Sequence, residues 1–308
     1  MIESYFKTTK EPSFISLSSP IEGCWIHIDE ASITDINAIC KLINLDSADL
    51  HDCLDRYEAP HIVQIRNDVL IFTRHPIEQD AAVGLYTSTL TIILTEHYFI
   101  TIAPQKDHLI RSFITCKEEL STEQRSQLMI HLFLHITQEF TTSVRRIRHN
   151  VLDQAKEMGS VDSQDIAVLT KNEEILNQYL AALGPMRGVL ERINLGRYIT
   201  LYGKESEQLE DLLNAVKQSE MLCSVAVKTI HSLRDSCNIY FTNNLHKTIK
   251  LLTSLTIIFN IPTTIASLYG MNIPLPFMKS AHSFGIIMSM IVISSVSALL
   301  IFKRKKWL

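Results

Sequence analysis

Towards its C-terminal end the chain holds two uncharged apolar runs, LLTSLTIIFNIPTTIASL from Leu251 to Leu268 and SFGIIMSMIVISSVSALLIF from Ser283 to Phe302. About twenty helical residues cross a bilayer core, so both are candidate spans, the second the stronger. The first, with its Thr, Ser, Asn and Pro, also fits a buried core helix, but a partner so close behind it favours a membrane hairpin. A hairpin puts the chain before and after it on one side of the membrane. Lys247 and Lys250 precede the first span, Lys303, Arg304, Lys305 and Lys306 follow the second, and the loop between carries only Lys279. This bias predicts a multi-pass protein of the cell inner (cytoplasmic) membrane with both termini in the cytoplasm. The opening MIESYFKTTK lacks the apolar core of a cleavable signal.

Charge divides the chain at the same place. From Lys247 onward there are seven Lys and Arg and no Asp or Glu, whereas the preceding 246 residues hold all 33 acids against 22 bases. An acidic, soluble body therefore precedes a basic, apolar tail, and such a body does not suit nucleic-acid binding. The RRIRHN run at 145–150 reads as a solvated helix face. The six cysteines, Cys24, Cys40, Cys53, Cys116, Cys223 and Cys237, show no CxxC spacing and lie in the part expected to be cytoplasmic, where thiols stay reduced. There is no phosphate-binding glycine loop, and no arrangement of Ser, His, Asp or Cys marks a catalytic centre, so the chain does not read as an enzyme.

Within 1–121, strand-like and helix-like segments alternate. CWIHID (24–29), HIVQIR (61–66), VLIFTR (69–74), LTIIL (90–94) and YFITIA (98–103) are β-rich. SITDINAICKLINL opens on a Ser or Thr cap, and DSADLHDCLDRYEAP is helix-like until Pro60. This predicts a cytoplasmic α/β domain. Over 122–205 the pattern becomes amphipathic helix: one helix runs to the GSVDS stretch, and another runs from Ser163 to about Ile193 with a break expected at Gly184 and Pro185. A third helix begins near Glu205 and continues through the first span to Tyr269, about 65 residues or roughly 97 Å. A helix of that length needs partners along it, and reads as the stalk of an oligomer, 206–269, leading into the membrane. An outer loop at 270–282, the second span at 283–302 and a basic cytoplasmic tail at 303–308 complete the chain.

The loop opens in SLYGMNIPLP (267–276), with the uncharged tripeptide Gly270-Met271-Asn272 inside it. Alternating steps of three and four back from Gly270 meet Ser267, Thr263, Asn260, Thr256, Thr253, Ile249 and His246, so most small polar residues of the first span share one stripe. Such a stripe serves either as packing glue between helices in lipid or as a pore wall, and the pattern alone leaves both open. Gly270 suits a helix end in the left-handed conformation. A helix terminus leaves unpaired carbonyls and a partial negative charge. Several copies aimed at one axis would form a neutral ring of oxygens, with an Asn272 carbonyl from each. Dipoles without formal charge suit a cation that keeps its water shell, and Mg²⁺ dehydrates most reluctantly.

LYGMN at the end of the penultimate span, followed by a short loop, a last span and a basic tail, resembles the CorA family of magnesium and cobalt transporters. The likeness covers the layout of the whole chain and, locally, NNLHKTIKLLTSLTIIFNIPTTIASLYGMNIPLP at 243–276. It implies a homopentameric funnel in the lipid bilayer: a cytoplasmic α/β domain, a long stalk helix continuing as the pore-lining transmembrane helix, and a second transmembrane helix ringing the outside. It implies that Gly270, Met271 and Asn272 select a hydrated ion, that Leu252 and Ile249 form a hydrophobic constriction, and that Asn260 and Thr263 line the middle. Thr256, Thr253 and His246 continue that wall. In the family, carboxylates between neighbouring cytoplasmic domains bind regulatory Mg²⁺ and hold the pore closed; Asp211 and Asp235 fall where such acids stand, and each also fits an ordinary solvated helix acid. The function implied is transport of divalent cations, Mg²⁺ and Co²⁺, through a pore gated by intracellular Mg²⁺.

Three features depart from the family pattern. The outer loop IPLPFMKSAH has no acid and carries Lys279, where many members concentrate cations with acidic residues. Asn260 stands where an apolar residue is common, which makes the pore wetter. His246 stands where the family often has asparagine; a ring of histidines there would sense pH or favour a softer metal, and the plainer alternative is packing at the membrane surface. His131 and His135 in HLFLH have no acid at HExxH spacing and read as packing residues. Two other functions fit the same sequence: a zinc or other divalent-ion transporter of this fold, and a membrane-anchored sensor or scaffold.

Overall fold

The computed structural model describes all residues except 1, 12, 81–83, 107, 116–119, 158–162, 274, 277–281 and 308. The chain divides into two compact units, Met1–Met158 with Ala167–Leu233, and Gly159–Ile166 with Arg234–Leu308. The first unit contains a seven-stranded sheet of β1 (Ile2–Phe6), β2 (Ile15–Leu17), β3 (Trp25–Ile28), β4 (His61–Ile65), β5 (Asp68–Asp80), β6 (Leu85–Leu94) and β7 (Phe99–Ile102), in the order β2-β1-β3-β7-β6-β5-β4. Neighbours are antiparallel except β3 and β7, which run parallel with Trp25 opposite Phe99 and Ile28 opposite Ile102.

The central strands are apolar on both sides because both faces of the sheet are covered. Ile26, Ile28, Leu70, Phe72, Ile93, Ile100 and Ile102 pack against Ile36, Ile39 and Cys40 of α1 (Ile33–Ile43) and against Leu50 and Cys53 of a 3-10 helix at Ser47–Leu54. On the opposite face Trp25 meets Phe99 and, at 5.8 Å between ring centroids, Phe113 of α2 (Leu109–Thr115). Polar groups here are closed locally: Trp25 Nε1 donates to Thr101 Oγ1 at 2.9 Å, and His27 Nδ1 lies 2.9 Å from the same oxygen. α1 opens on a capping box, with the Asp35 N–H donating to Ser32 Oγ at 3.3 Å and the Ser32 N–H to Asp35 Oδ2 at 3.1 Å. The Ser32 side chain holds the Asp35 carboxyl below the usual range.

Three differences from the sequence-based expectation have physical causes. β1 and β2 carry no apolar alternation: Ser4 within β1 and Lys7 just after it are buried, with Lys7 Nζ 5.0 Å from the centre of the Phe14 ring. The segment after Asp46 is tightened into a 3-10 helix that ends at Leu54, before Pro60. The break expected at Gly184 and Pro185 does not form, because α4 (Ser163–Asn194) runs through Pro185 with Ala182, Leu183, Met186, Val189 and Leu190 buried around it. Burial of five apolar side chains outweighs the roughly 3 kcal/mol that an interior proline costs. Of the GSVDS stretch (159–163), where a break is expected, 159–162 lie outside the described residues and Ser163 opens α4.

α4 is clamped in this unit between α3 (Arg125–Glu157) and α5 (Lys204–Tyr269). Phe140 and Tyr179 meet edge to face at 5.2 Å, and Arg187 Nε donates to Glu220 Oε2 at 2.9 Å while its Nη1 bonds Glu191 at 2.9 Å. In the second unit, α5 continues from Arg234 to Tyr269 and α6 spans Ser283–Arg304. By length and composition α5 and α6 can each cross a membrane, and α6 buries none of its side chains.

The polar anchor of the first unit is Arg74. Its guanidinium donates to Thr87 Oγ1 and O on β6, to Thr89 Oγ1, and to the Arg56 and Glu58 carbonyls before β4, all between 2.7 and 3.1 Å. Replacing it leaves buried acceptors unpaired, so Arg74→Met should destabilise the full-length protein by about 3 kcal/mol, a fall of about 6–12 °C in the melting temperature of the soluble unit by circular dichroism. Burial pushes the Cys53 and Cys223 thiols up to about 12. Both should therefore resist alkylation by iodoacetamide near neutral pH in the native protein and react on unfolding in urea, as peptide mass mapping would show.

Candidate functional site

At the end of α5 the chain turns through Gly270, Met271 and Asn272. The Gly270 N–H donates to the Ala266 carbonyl at 2.9 Å, closing the last α-turn, and the Met271 N–H reaches Leu268 at 3.3 Å, a 3-10-type contact that tightens the end. Among the described residues no backbone N–H reaches the Ser267 or Tyr269 carbonyl. Gly270, Met271 and Asn272 are exposed, so the end of α5 offers free oxygens beside an exposed side-chain amide. The expectation of a left-handed Gly270 is corrected: Gly270 is not among the positive-φ glycines of the chain. Glycine suits the position by its lack of a side chain, since a Cβ would lie 3.3 Å from the Ala266 carbonyl oxygen and 3.6 Å from that of Ser267.

Below this turn, His246, Ile249, Leu252, Thr253, Thr256, Asn260, Thr263, Ser267 and Gly270 fall within about a third of the helix circumference at 3.6 residues per turn. All of them are exposed, Leu252 at 57% and Ile249 at 56%. The hydroxyls on this stripe are directed by the helix itself. Thr256 Oγ1 donates to the Leu252 carbonyl at 2.8 Å and Thr263 Oγ1 to the Phe259 carbonyl at 3.1 Å. The hydroxyl protons of Thr256 and Thr263 are thus used within the helix, and their outward surface is left with oxygen lone pairs, the polarity a cation or its water shell requires. Asn260 makes no such bond among the described residues. Pro262, between Asn260 and Thr263, lacks an N–H, so the Ile258 carbonyl loses its rung. The helix runs through Pro262 to Tyr269, as the sequence leads one to expect.

Asp211 lies on an exposed face of α5 in the first unit, and Asp235, in the second, has Oδ1 4.0 Å from Arg234 Nε. Among the described residues no group of three or more His, Cys, Asp or Glu could hold a metal ion. His135 Nε2 lies 2.8 Å from Ser112 Oγ and its ring 5.6 Å from Phe113, so it packs α2 against α3. Five cysteines are free and buried, while Cys116 lies outside the described residues. So do Lys279 and most of the loop around it.

A seven-stranded α/β unit, a 66-residue helix reaching membrane-spanning composition and a second apolar helix have the layout of a membrane protein, and the family that the sequence matches is one of transporters, not enzymes. The sequence model described as CorA-like Mg²⁺ transporter protein matches residues 22–304, and the chain belongs to that family. Over 294 residues it is 25% identical to the cobalt/magnesium transport protein CorA of Methanocaldococcus jannaschii, covering 92% of this chain and 91% of that protein. The complete structure of the CorA magnesium transporter from the same organism superposes with a TM-score of 0.78 at 19% identity, covering 100% of this chain and 99% of that one. The ZntB cytoplasmic domain from Vibrio parahaemolyticus superposes with a TM-score of 0.63 at 10% identity over 78% of this chain and 98% of that one, a likeness of fold alone.

The close Cβ approach at Gly270 generates a prediction. Gly270→Ala must displace the last turn by a few tenths of an ångström, and divalent-ion uptake in reconstituted vesicles should fall about fivefold, as about 1 kcal/mol of lost ion stabilisation would give. Circular dichroism of the reconstituted protein should be unchanged.

Proposed function

We propose that the chain assembles as a homopentamer around α5 and conducts Mg²⁺, and Co²⁺, across the cytoplasmic membrane, with both termini in the cytoplasm. The observation that carries this reading is the place of Gly270-Met271-Asn272: the tripeptide ends the helix whose exposed stripe presents oxygen lone pairs, in a chain that belongs to the CorA-like family. Gly270, Met271 and Asn272 select the hydrated ion at the outer mouth. Thr263, Asn260, Thr256 and Thr253 line the pore, Leu252 and Ile249 form its narrow apolar section, and His246 stands at the cytoplasmic exit. No nucleotide is needed, because each elementary charge gains about 2.3 kcal/mol per 100 mV of membrane potential and a divalent ion about twice that.

The same reading makes intracellular Mg²⁺ the regulator. Exposed Asp211 presents a carboxylate to a neighbouring copy, and Asp235, beside Arg234, is the weaker ligand of the two. Bound ions joining neighbouring copies would hold the pore closed. The zinc reading differs in its cargo and its coupling, and ion competition separates the two.

Mg²⁺ uptake into liposomes under an inside-negative potential is the deciding measurement. Uptake should be present in the native chain and about tenfold lower in Asn272→Ala, equivalent to about 1.4 kcal/mol. Absent uptake, or uptake unchanged in Asn272→Ala, overturns the proposal. Zinc flux that Mg²⁺ does not block and that follows a proton gradient would reassign the cargo. For regulation, Mg²⁺ should slow trypsin cleavage of the full-length protein, and Asp211→Ala should remove most of that protection; equal cleavage with and without Mg²⁺ sinks the regulatory part.

A further inference from the structure

The cations that follow the second apolar run are held in a fixed turn. α6 ends in a Schellman motif, in which the residue after the helix takes a left-handed conformation and two backbone N–H groups fold back on the last turn. Here Lys306 has φ 57°. Its N–H donates to the Lys303 carbonyl at 3.1 Å, and the Trp307 N–H donates to the Phe302 carbonyl at 3.0 Å. The Trp307 ring folds onto Phe302 with centroids 5.6 Å apart and planes at 17°, the apolar contact that accompanies this motif. A side-chain-bearing residue adopts left-handed backbone only at a cost, so these bonds and the ring stack hold Lys306 in place against strain.

Among the described residues no ion pair is made by the charges of this turn. The Ile301, Phe302 and Lys303 carbonyls already receive a backbone N–H each, from Lys305, Trp307 and Lys306. Lys303, Arg304, Lys305 and Lys306 are exposed, and from Lys247 onward the chain has no Asp or Glu to pair with them. Phe302 is the last residue of the apolar run, so the turn sits where hydrocarbon gives way to headgroups, the depth that tryptophan rings favour. Four neighbouring positive charges at that depth attract the negative surface of a membrane leaflet, and an Arg fork matches phosphate geometry.

We propose that the Lys303–Trp307 turn is a binding site for the headgroups of anionic phospholipids in the leaflet it faces. The four cations contact lipid phosphate while Trp307, stacked on Phe302, fixes the depth of the turn. The proposal depends on α6 spanning the membrane and is independent of the ion transported.

Trp307 is one of two tryptophans, and the other, Trp25, is fully buried in the first unit, so lipid contact can be read by fluorescence on the full chain. The protein is reconstituted with brominated phosphatidylglycerol or brominated phosphatidylcholine in a neutral host lipid, and the quenching attributable to Trp307 is taken as the difference from Trp307→Phe. Phosphatidylglycerol should be favoured by about fivefold or more, the preference should fall as salt is raised, and replacing Lys303, Arg304, Lys305 and Lys306 together by Gln should bring it to unity. Lys306→Gly, which suits the left-handed backbone, should keep the turn and most of the preference. Equal quenching by the two lipids, no quenching by either, or a preference that survives the fourfold Gln replacement overturns the proposal. Because quenching needs no ion flux, a chain that shows the preference without Mg²⁺ uptake would refute the transport reading and leave this one standing.

Discussion

Hydrocarbon offers neither donors nor acceptors, so every polar group on a spanning helix is closed within the protein or faces water. On α5 this constraint decides which chemistry the helix can present. Thr256 and Thr263 each give their hydroxyl proton to the carbonyl four residues back, which satisfies the donor and leaves acceptor oxygen on the exposed stripe, while buried Ser254 closes its hydroxyl in the same way off that stripe. Asn260 differs in kind, because its amide carries donors as well as acceptors and makes no such bond among the described residues. From Thr253 to Gly270 a stripe of this composition tolerates water without a formal charge, whereas Ile249 and Leu252 below it offer only apolar surface.

The first unit answers a different demand. A sheet covered on both faces has little room for polar side chains, yet Arg74, His27 and Thr101 lie within it. They are accommodated because each is joined to a neighbour by a short hydrogen bond, and in Arg74 the bonds reach from β6 to the segment ahead of β4. The result ties the β4–β5–β6 hairpins to the connection that follows the 3-10 helix. On the α4 side Arg187 does similar work at a more exposed site, joining α4 to α5 through Glu220.

Much of this was readable in the chain because the signals are periodic. β3, β4 and β7 coincide with β-rich runs, β5 and β6 contain the expected runs at 69–74 and 90–94 but extend to Asp80 and back to Leu85, α1 opens on its Ser cap, and α5 and α6 hold long stretches whose apolar composition persists for the length of a span. What escaped was carried by polar residues. β1 buries Ser4 where a strand pattern would show an apolar side chain, and Pro185 stays inside α4 because its neighbours are buried, a tertiary effect no local rule contains. At the site, the stripe and the tripeptide were legible by spacing, while the conformation of Gly270 was not: helix-end glycines commonly turn left-handed, and here the reason for glycine is a carbonyl 3.3 Å from the place of its missing Cβ. The turn after α6 could have been found from Phe302 and Trp307, five residues apart at the C3 and C″ positions of the motif, had Lys306 not disguised a place usually held by glycine.

The missing rung at Pro262 separates α5 near its C-terminal end into two mechanical segments. A helix bends most easily where a hydrogen bond is absent, and the ring of proline forces its two halves apart on one side. The last two turns, with Thr263, Ser267 and Gly270, can therefore lean without disturbing the hydrogen-bonded column below Ile258. The orientation of the oxygens at the end of α5 is governed by a joint only eight residues from Gly270, and a stiffer residue pair at that joint would fix their splay while leaving the remainder of the helix untouched.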